Sequence, residues 1–356
     1  MATTAPSPRE STARRAFVST VVVVAVVVGT LALWKLKLLV ALLFVAVTIS
    51  AAMRPGVEAL ARHRVPRILG ILAHYVALLG LIALFLSLAV PDLTHEVSAG
   101  LDAAQAHHTH PDEGIRGTIL TNLQRHLRHI PSVGKLVHPA VSVGEEAVAI
   151  LVGIFFTFAA AAYWLYDRDR AIDLVTSFVP KPKRQLVRDT WVLIDLKLGA
   201  FVRGQLVLIT FVSTTVSAAF WLIGEPYWLL MGIAVGLLEM IPVVGPLVAL
   251  LLTVAAGLTV SWHVAAFAGG ALLLIRLLED YLVTPRVLGG AVGLPPLIVM
   301  VSAIATATLL GGFYIFLSVP IASLIVTIVD VVVRGVDPAE AEVPTVLFPA
   351  KEAEGK

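Results

Sequence analysis

The sequence lacks cysteine altogether and has few charged residues. None of its 356 residues is cysteine, which excludes disulfides, thiolate metal sites and cysteine nucleophiles. Charged residues make up 14% of the chain, against about 25% in a typical soluble domain. Hydrophobic residues make up 58% of it, and the mean hydropathy is +0.92. This composition predicts an all-α polytopic membrane protein rather than a soluble fold.

Signatures of enzymes and of nucleic-acid binding are also missing. His95-Glu96-Val97-Ser98-Ala99 lacks the second histidine of a zinc protease helix, and the chain has no Gly-x-Ser-x-Gly element and no phosphate-binding loop. The net charge of +2 is too small for a nucleic-acid surface. We therefore expect no enzyme, no cofactor, no direct use of ATP and no nucleic-acid partner.

Apolar segments of about 20 residues, the length that crosses a bilayer, recur along the chain. They predict about eight transmembrane helices, the first of them an uncleaved span that follows a basic N-terminus. Two of the segments, 228–258 and 297–329, are broken. The others are 17–34, 38–53, 69–90, 147–166, 206–223 and about 260–283.

The distribution of lysine and arginine predicts the orientation, because cytoplasmic loops retain positive charge. The basic loop 54–68 and the basic stretch 167–198 are therefore expected inside the inner (plasma) membrane, together with both termini. The predicted organisation is a cytoplasmic tail 1–16, three spans within 17–90, an extracytoplasmic helical segment 91–146, a fourth span 147–166, a cytoplasmic amphipathic linker 167–205, a membrane bundle 206–333 and a flexible cytoplasmic tail 334–356.

Two predicted helices outside the spans carry an apolar stripe. Apolar residues recur at intervals of three and four within 115–130 and again within 183–201. Such a stripe fits an interfacial helix, the interpretation we favour, and also fits a docking site for a partner. The tract His107-His108-Thr109-His110 lies in the external segment, where it could hold a divalent metal or simply form a solvent loop. We favour the loop and assign no metal site.

Two apolar segments cannot be uninterrupted helices. Segment 228–258 contains Ile241-Pro242-Val243-Val244-Gly245-Pro246, and proline inside a helix removes a hydrogen bond, so we predict a break at 242–246. Segment 297–329 contains Gly311-Gly312 and then Pro320. Each broken segment is either a re-entrant hairpin or a kinked span. Paired interruptions of this kind are typical of substrate sites in transporters.

The residues at these breaks have predicted roles. Pro242, Gly245 and Pro246 would shape the tip of the first hairpin, whereas Gly311 and Gly312 would allow close helix approach or hinge movement.

Ionisable residues inside apolar segments are the default functional candidates, because they are costly in lipid. Glu239 lies three residues before Pro242, and Arg276 precedes Glu279 and Asp280 by three and four residues, on one helix face. Arg276 can pair with either acid, which leaves the other free to bind a proton or Na⁺. The alternative is a charge cluster that only anchors the helix end at the interface.

Several of these motifs, taken together and in this order, resemble the autoinducer-2 exporter-like (AI-2E) transporter family. They are Met53-Arg54-Pro55-Gly56-Val57-Glu58-Ala59-Leu60, Pro66-Arg67, Gly204-Gln205, Gly236-Leu237-Leu238-Glu239-Met240-Ile241-Pro242-Val243-Val244-Gly245-Pro246, Glu279-Asp280, Thr284-Pro285-Arg286-Val287-Leu288-Gly289, Val292-Gly293-Leu294-Pro295-Pro296-Leu297, Gly311-Gly312 and Val319-Pro320. The resemblance extends over about 17–335.

The resemblance implies about eight spans, a soluble segment between the third and fourth spans, and homo-oligomers. Members of the family are associated with export of a small signalling molecule and with exchange of Na⁺ or Li⁺ for protons. The chain departs from the family pattern near Gly311-Gly312-Phe313, where a further glycine is expected, and at Pro295, where histidine is common. These departures concern the ligand more than the fold.

We therefore expect a multi-pass secondary transporter of a small molecule, coupled to an ion gradient, with the lipid bilayer and further copies of the chain as its partners. The expected substrate or ion path comprises Gln205, Glu239, Arg276, Glu279 and Asp280. The alternatives are a Na⁺(Li⁺)/H⁺ antiporter, a non-transporting membrane scaffold, and an intramembrane enzyme that pairs Glu239 with Asp280.

Overall fold

The computed structural model describes residues 8–80, 83, 87, 140–225, 228–288, 293–341 and 343. Every regular element in those ranges is a helix, which confirms the all-α prediction. The apolar stripe at 115–130, the histidine tract at 107–110 and most of the C-terminal tail lie outside the described residues.

The helices are named here in chain order. They are α1 (Pro8–Lys35), α2 (Lys37–Arg62), α3 (Arg67–Gly80), α4 (Ala140–Ser177), α5 (Arg184–Ile223), α6 (Trp228–Leu238), α7 (Val244–Val260), α8 (Trp262–Leu278), α9 (Thr284–Val287), α10 (Pro296–Leu310) and α11 (Ser318–Val332). Short 3₁₀ turns occupy Lys181–Lys183 and Gly312–Leu317, and a π-helical turn occupies Glu279–Val283.

Four helical stretches in the described ranges are long and apolar enough to cross a bilayer: Lys37–Arg62, Val148–Ser177, Lys181–Ile223 and Tyr314–Val332. The other apolar helices, among them α6, α7 and α10, have 10–17 residues. Many large apolar side chains face outward, for instance Leu222, which is 76% exposed. Such a surface suits a lipid solvent, where apolar side chains need no cover.

Two helices extend further than the sequence indicated. α2 continues through Pro55 to Arg62, so most of the predicted loop 54–68 is helical. The amphipathic stretch 183–201 and the span 206–223 form one continuous helix, α5, of 40 residues. At 1.5 Å per residue α5 is about 60 Å long, twice the hydrocarbon thickness, so its charged N-terminal half extends beyond the bilayer core.

Helix α5 is the centre of the packing. It contacts α2, α4, α6, α8, α9 and α11. One buried apolar cluster joins α5, α6, α7 and α8, and it consists of Val212, Val216, Phe220, Met231, Val235, Ala249, Ala268, Leu272 and Ile275. These four helices therefore form one body around the interrupted segment.

The proline within α2 is accommodated by an arginine from α5. Pro55 has no N–H, so the carbonyl of Ala51, four residues earlier, loses its helical partner. The guanidinium of Arg203, which is buried, donates to that carbonyl at 3.5 Å and to the carbonyl of Ala52 at 3.3 Å. Gly199 permits the approach, since a Cβ there would lie 2.9 Å from the carbonyl carbon of Ala51.

Helices α5 and α6 are in backbone contact along a pair of glycines. A Cβ on Gly232 would lie 2.6 Å from the backbone nitrogen of Ser217, and one on Gly236 would lie 2.8 Å from the carbonyl oxygen of Ile209. Atoms at these distances overlap, so no larger residue fits without separating the helices. Small residues at such spacing are a usual means of close packing between membrane helices.

Gly232→Ala should lower the free energy of unfolding by about 1–3 kcal/mol, because the added methyl group overlaps a backbone atom that cannot turn away. Gly270→Ala is the matched control: a Cβ there meets nothing within 4 Å, so we expect no loss of stability. Thermal unfolding of the two purified variants in detergent measures the difference. Equal melting temperatures would contradict the close contact between α5 and α6.

Arg203→Met should lower the free energy of unfolding by about 1–3 kcal/mol in the natural sequence, because the Ala51 carbonyl is left buried without a donor. In a Pro55→Ala background the new N–H supplies that donor, so the same change should cost about 1 kcal/mol less. The measurement is a double-mutant cycle by thermal unfolding. Additive effects of the two substitutions would refute the compensation.

Candidate functional site

The interruption predicted at 242–246 lies slightly earlier in the chain. α6 ends at Leu238 and α7 begins at Val244, so the break covers 239–243. Within it the amide of Glu239 donates to the carbonyl of Gly236, and the amide of Ile241 donates to that of Leu238. These are bonds between residues three apart, which tighten the end of α6 into a 3₁₀-type turn.

A strained turn centred on Val243 reverses the backbone before α7. Val243 has φ +67° and ψ −51°, and the amide of Val244 donates to the carbonyl of Pro242 at 2.7 Å. This is a γ-turn of the rare kind, which is strained for any residue with a side chain and more so for a β-branched one. Strain of this kind tends to occur where a site or a hinge requires it.

The other residues assigned to the tip have clear positions. A Cβ on Gly245 would overlap the carbonyl oxygen of Leu238 and would lie 2.8 Å from its carbonyl carbon, so only glycine allows this closure. Pro246 is the third residue of α7, in the first turn, where a missing N–H costs no helical hydrogen bond. The glycine lets the turn close and Pro246 lies within α7 itself.

A side chain from α5 binds the backbone of the break. The amide nitrogen of Gln205 donates to the carbonyl oxygen of Glu239 at 3.2 Å. Because Glu239 follows the last residue of α6, its carbonyl has lost the regular helical ladder. Gln205 therefore fixes the position of the break against α5.

Arg276 brings together three carboxylates from two parts of the chain. Its Nη1 atom forms ion pairs with Oε2 of Glu239 and, at 3.1 Å, with Oε2 of Glu279. Its Nη2 atom lies 3.3 Å from Oδ1 of Asp280. The pairings with Glu279 and Asp280 follow the predicted helical spacing, whereas Glu239 lies 37 residues away and reaches Arg276 only through the fold.

The charges of this cluster do not balance. One guanidinium meets three carboxylates, so the fully ionised group of Glu239, Arg276, Glu279 and Asp280 carries a formal charge of −2. The Glu239 and Glu279 side chains are 8% and 4% exposed, whereas Asp280 is 48% exposed. Two of the acids are therefore withdrawn from solvent and the third is open to it. Across the described residues, no three acidic or histidine side chains are grouped so that they could hold a metal ion.

A widened helical turn carries two of the acids. Helix α8 passes into the π-helical turn Glu279–Val283, in which the amide of Thr284 donates to the carbonyl of Glu279 five residues back. Pro285 follows at once and would clash with the carbonyl of Tyr281 in a regular α-helix. The wider turn relieves that conflict, and π turns are frequent at functional sites.

A second glycine in α5 sets the chain beyond this turn close to the cluster. A Cβ on Gly204 would lie 3.3 Å from Cγ of Leu288 and 3.4 Å from the carbonyl oxygen of Val287. Gly204 and Gln205 are consecutive, so one turn of α5 receives both the break after α6 and the segment after α8. The predicted path residues Gln205, Glu239, Arg276, Glu279 and Asp280 are thus brought together.

The second broken segment lies apart from this cluster. α10 ends at Leu310, and Gly311 has φ +110° and ψ +157°, a conformation open essentially to glycine alone. Pro320 is the third residue of α11 and does not interrupt it. In the described part of the chain, no hydrogen bond or ion pair joins Gly311, Gly312 or Pro320 to the residues around Arg276.

The ion pair between Arg168 and Asp195 was not predicted from the sequence. Nε of Arg168 in α4 donates to Oδ2 of Asp195 in α5 at 2.5 Å, and both side chains are buried. One turn earlier on each helix, the rings of Trp164 and Trp191 stack with centroids 5.8 Å apart. A signal was present, since Asp195 follows Trp191 by four residues on the apolar stripe of 183–201. A lone acid on an apolar face implies a partner.

Comparison with known proteins finds a family model and several relatives that match the chain. The family model described as "AI-2E family transporter" matches residues 22–334 of the chain. The "Putative transport protein YrrI" of Bacillus subtilis (strain 168) is 23% identical over 303 residues, which cover 80% of this chain and 83% of that protein. A Mycobacterium tuberculosis (strain CDC 1551 / Oshkosh) protein with the same kind of name is 25% identical over 313 residues, 85% of either chain.

The motifs at Gly204-Gln205, 236–246 and Glu279-Asp280 lie within the matched range; the latter two supply the acids of the arginine cluster, and Gln205 binds the backbone beside it. The match covers most of the chain and extends across the described helices on both sides of residues 88–139. The chain therefore belongs to the AI-2E family of membrane transporters.

Proposed function

We propose that the chain is a secondary transporter of the inner (plasma) membrane that couples the movement of a small molecule to an ion gradient through the cluster of Glu239, Arg276, Glu279 and Asp280. The observation that carries the proposal is the sharing of one guanidinium by three carboxylates beside a helix break. A structural anchor would need one acid for one arginine. The two carboxylates that Arg276 does not balance therefore require positive charge from another source.

The proton is the coupling ion that this arrangement favours. Withdrawing an unbalanced carboxylate from water is costly, and the group can escape that cost by taking up a proton. A sodium ion would need several oxygen ligands directed at one point, and Arg276 occupies the space between the acids. The half-exposed Asp280 gives the buried pair Glu239 and Glu279 a route to solvent.

The breaks on either side of the cluster supply the movement that transport requires. Glu239 begins the break before α7, and Glu279 begins the π-helical turn after α8. Both are places where helical hydrogen bonds are rearranged, so each can change its backbone angles at lower cost than a regular helix. We propose that they act as hinges, and that broken segments 228–258 and 297–329 together enclose the path.

The proposed orientation follows from the positive charges. Arg184, Arg188 and Lys197 lie in the N-terminal half of α5, and Arg62 ends α2. By the positive-inside rule, these residues support a cytoplasmic position for that end of the bundle.

Glu239→Gln should reduce proton-coupled flux at least about tenfold, since the loss of one ion-pairing acid changes the energy of the cluster by about 1.4 kcal/mol or more. The assay uses proteoliposomes with imposed proton and Na⁺ gradients, a pH-sensitive dye and a panel of small polar metabolites. Glu340→Gln is the matched control, because Glu340 is exposed and distant in sequence from the cluster.

Each outcome of that assay separates the candidate functions. Flux driven by Na⁺ or Li⁺ against protons with no metabolite present favours the antiporter. A wild-type chain that moves nothing under either gradient favours the scaffold. Wild-type rates in Glu239→Gln would remove the cluster from the mechanism.

Val243→Gly should raise the free energy of unfolding by about 1 kcal/mol, because glycine adopts positive φ without strain and the gain exceeds its entropic cost. The same change should lower the flux rate if the strained turn is a hinge. Val244→Gly is the control: Val244 is similarly exposed but helical, so glycine there should only destabilise. If both variants changed the melting temperature in the same direction and by the same amount, strain at Val243 would be excluded.

A further inference from the structure

A second buried carboxylate lies well away from the Arg276 cluster. Glu225 is 2% exposed and immediately follows the end of α5. From Gln205 to Ile223 the helix rises about 27 Å at 1.5 Å per residue. Glu225 therefore belongs to the end of α5 that lies opposite Arg184, and no hydrogen bond or ion pair among the described residues links it to the cluster.

The local backbone explains how a glutamate comes to be buried there. Gly224 has φ +80°, its amide donates to the carbonyl of Trp221, and the amide of Glu225 donates to the carbonyl of Phe220 at 3.0 Å. This is the Schellman arrangement, which closes a helix and usually places an apolar residue at the position of Glu225, in contact with the last turn. Here that position carries a carboxyl group, and Phe220 beside it is fully buried.

Neither oxygen of this carboxyl group has a partner within the described residues. Both Oε1 and Oε2 of Glu225 are buried without a hydrogen bond, and the described chain offers no ion pair to them. α6 has no ionisable side chain, and α5 has none between 207 and 223. Of the other helices packed on α5, α8 has His263 as its second residue, with its ring against that of Trp262, and α2 begins with Lys37; neither is paired with Glu225.

We infer that Glu225 is a proton-binding site, separate from the arginine cluster, at the end of α5 opposite Arg184. A carboxylate without a counter-ion or donor is costly to bury, whereas the neutral acid is not. Burial alone raises the pKa of Glu225 to about 7, so the proton is exchanged near neutral pH. No metal ion or other cation is needed for this binding.

The sign of the effect on stability follows from proton uptake. The folded chain keeps the Glu225 proton up to about pH 7, while the unfolded chain releases it near the ordinary value of 4.5. Between these values the folded state binds more protons, so stability falls as pH rises. A variant without this acid should not show that fall in stability as pH rises.

The test compares Glu225→Gln and Glu225→Leu with the wild-type protein. Glutamine copies the shape of the neutral acid, and leucine restores the apolar residue that the helix end normally carries. We expect the melting temperature of the full-length protein in detergent to fall, relative to both variants, as pH rises from about 4.5 to about 7. Glu340→Gln, an exposed control, should follow the wild type.

Infrared difference spectroscopy provides a second readout. The carbonyl stretch of a protonated carboxylic acid should be present in the wild-type protein slightly below neutral pH and should be smaller by one group in either Glu225 variant. The inference is overturned if both variants keep the wild-type dependence on pH, or if no carbonyl band is lost. It is equally overturned if both variants are less stable than the wild type at every pH while their melting temperatures change with pH at the same slope as that of the wild type. None of these results depends on flux, so the function proposed for the Arg276 cluster stands or fails separately.

Discussion

The structure depends on one constraint, which is that a backbone group released by a helix break must find its partner inside the protein, because lipid offers none. At Pro55 the released carbonyl of Ala51 receives the guanidinium of Arg203. At the end of α6 the carbonyl of Glu239 receives the amide of Gln205. Both donors come from α5, so one helix completes the backbone hydrogen bonding at both of these places.

The same constraint explains why charge collects around Arg276. A polar residue that is already withdrawn from lipid, beside a break, adds less cost than one placed on a regular helix. Glu239 lies at the break after α6, and Glu279 lies at the π-helical turn after α8. Arg276 joins the two and leaves a surplus of acid. Irregular backbone and unbalanced charge thus share one place, which is the arrangement expected of a transport site rather than of a helix anchor.

The breaks and their residues could be predicted from the sequence because they have local causes. Proline removes a hydrogen-bond donor and glycine permits positive φ. Pro242 and Gly311 therefore predict interruptions of the helices without any knowledge of the fold. Arg276, Glu279 and Asp280 share a helix face by spacing alone. These predictions needed no contact between distant parts of the chain.

Predictions that required distant contacts were missed. Nothing near Pro55 in the sequence reveals that Arg203 completes the hydrogen bonding of α2 and lets it continue to Arg62. Glu239 and Arg276 are brought together by the packing of α6, α7 and α8, not by spacing. The burial of Glu225 depends likewise on tertiary structure. Sequence therefore located the irregularities, and the fold supplied their partners.

The packing also determines which parts of the bundle can move. Gly232 and Gly236 hold α6 on α5 by backbone contact, so these two helices must move as one rigid body. α7 and α8 are joined to that body through the turn at 239–243, and α8 continues into the π-helical turn. Under the proposed function, any rearrangement that opens the cluster would change the backbone at these two sites. Glu239 begins the break and Arg276 lies on α8, so their ion pair connects the two sites, and protonation of the acid would weaken that connection.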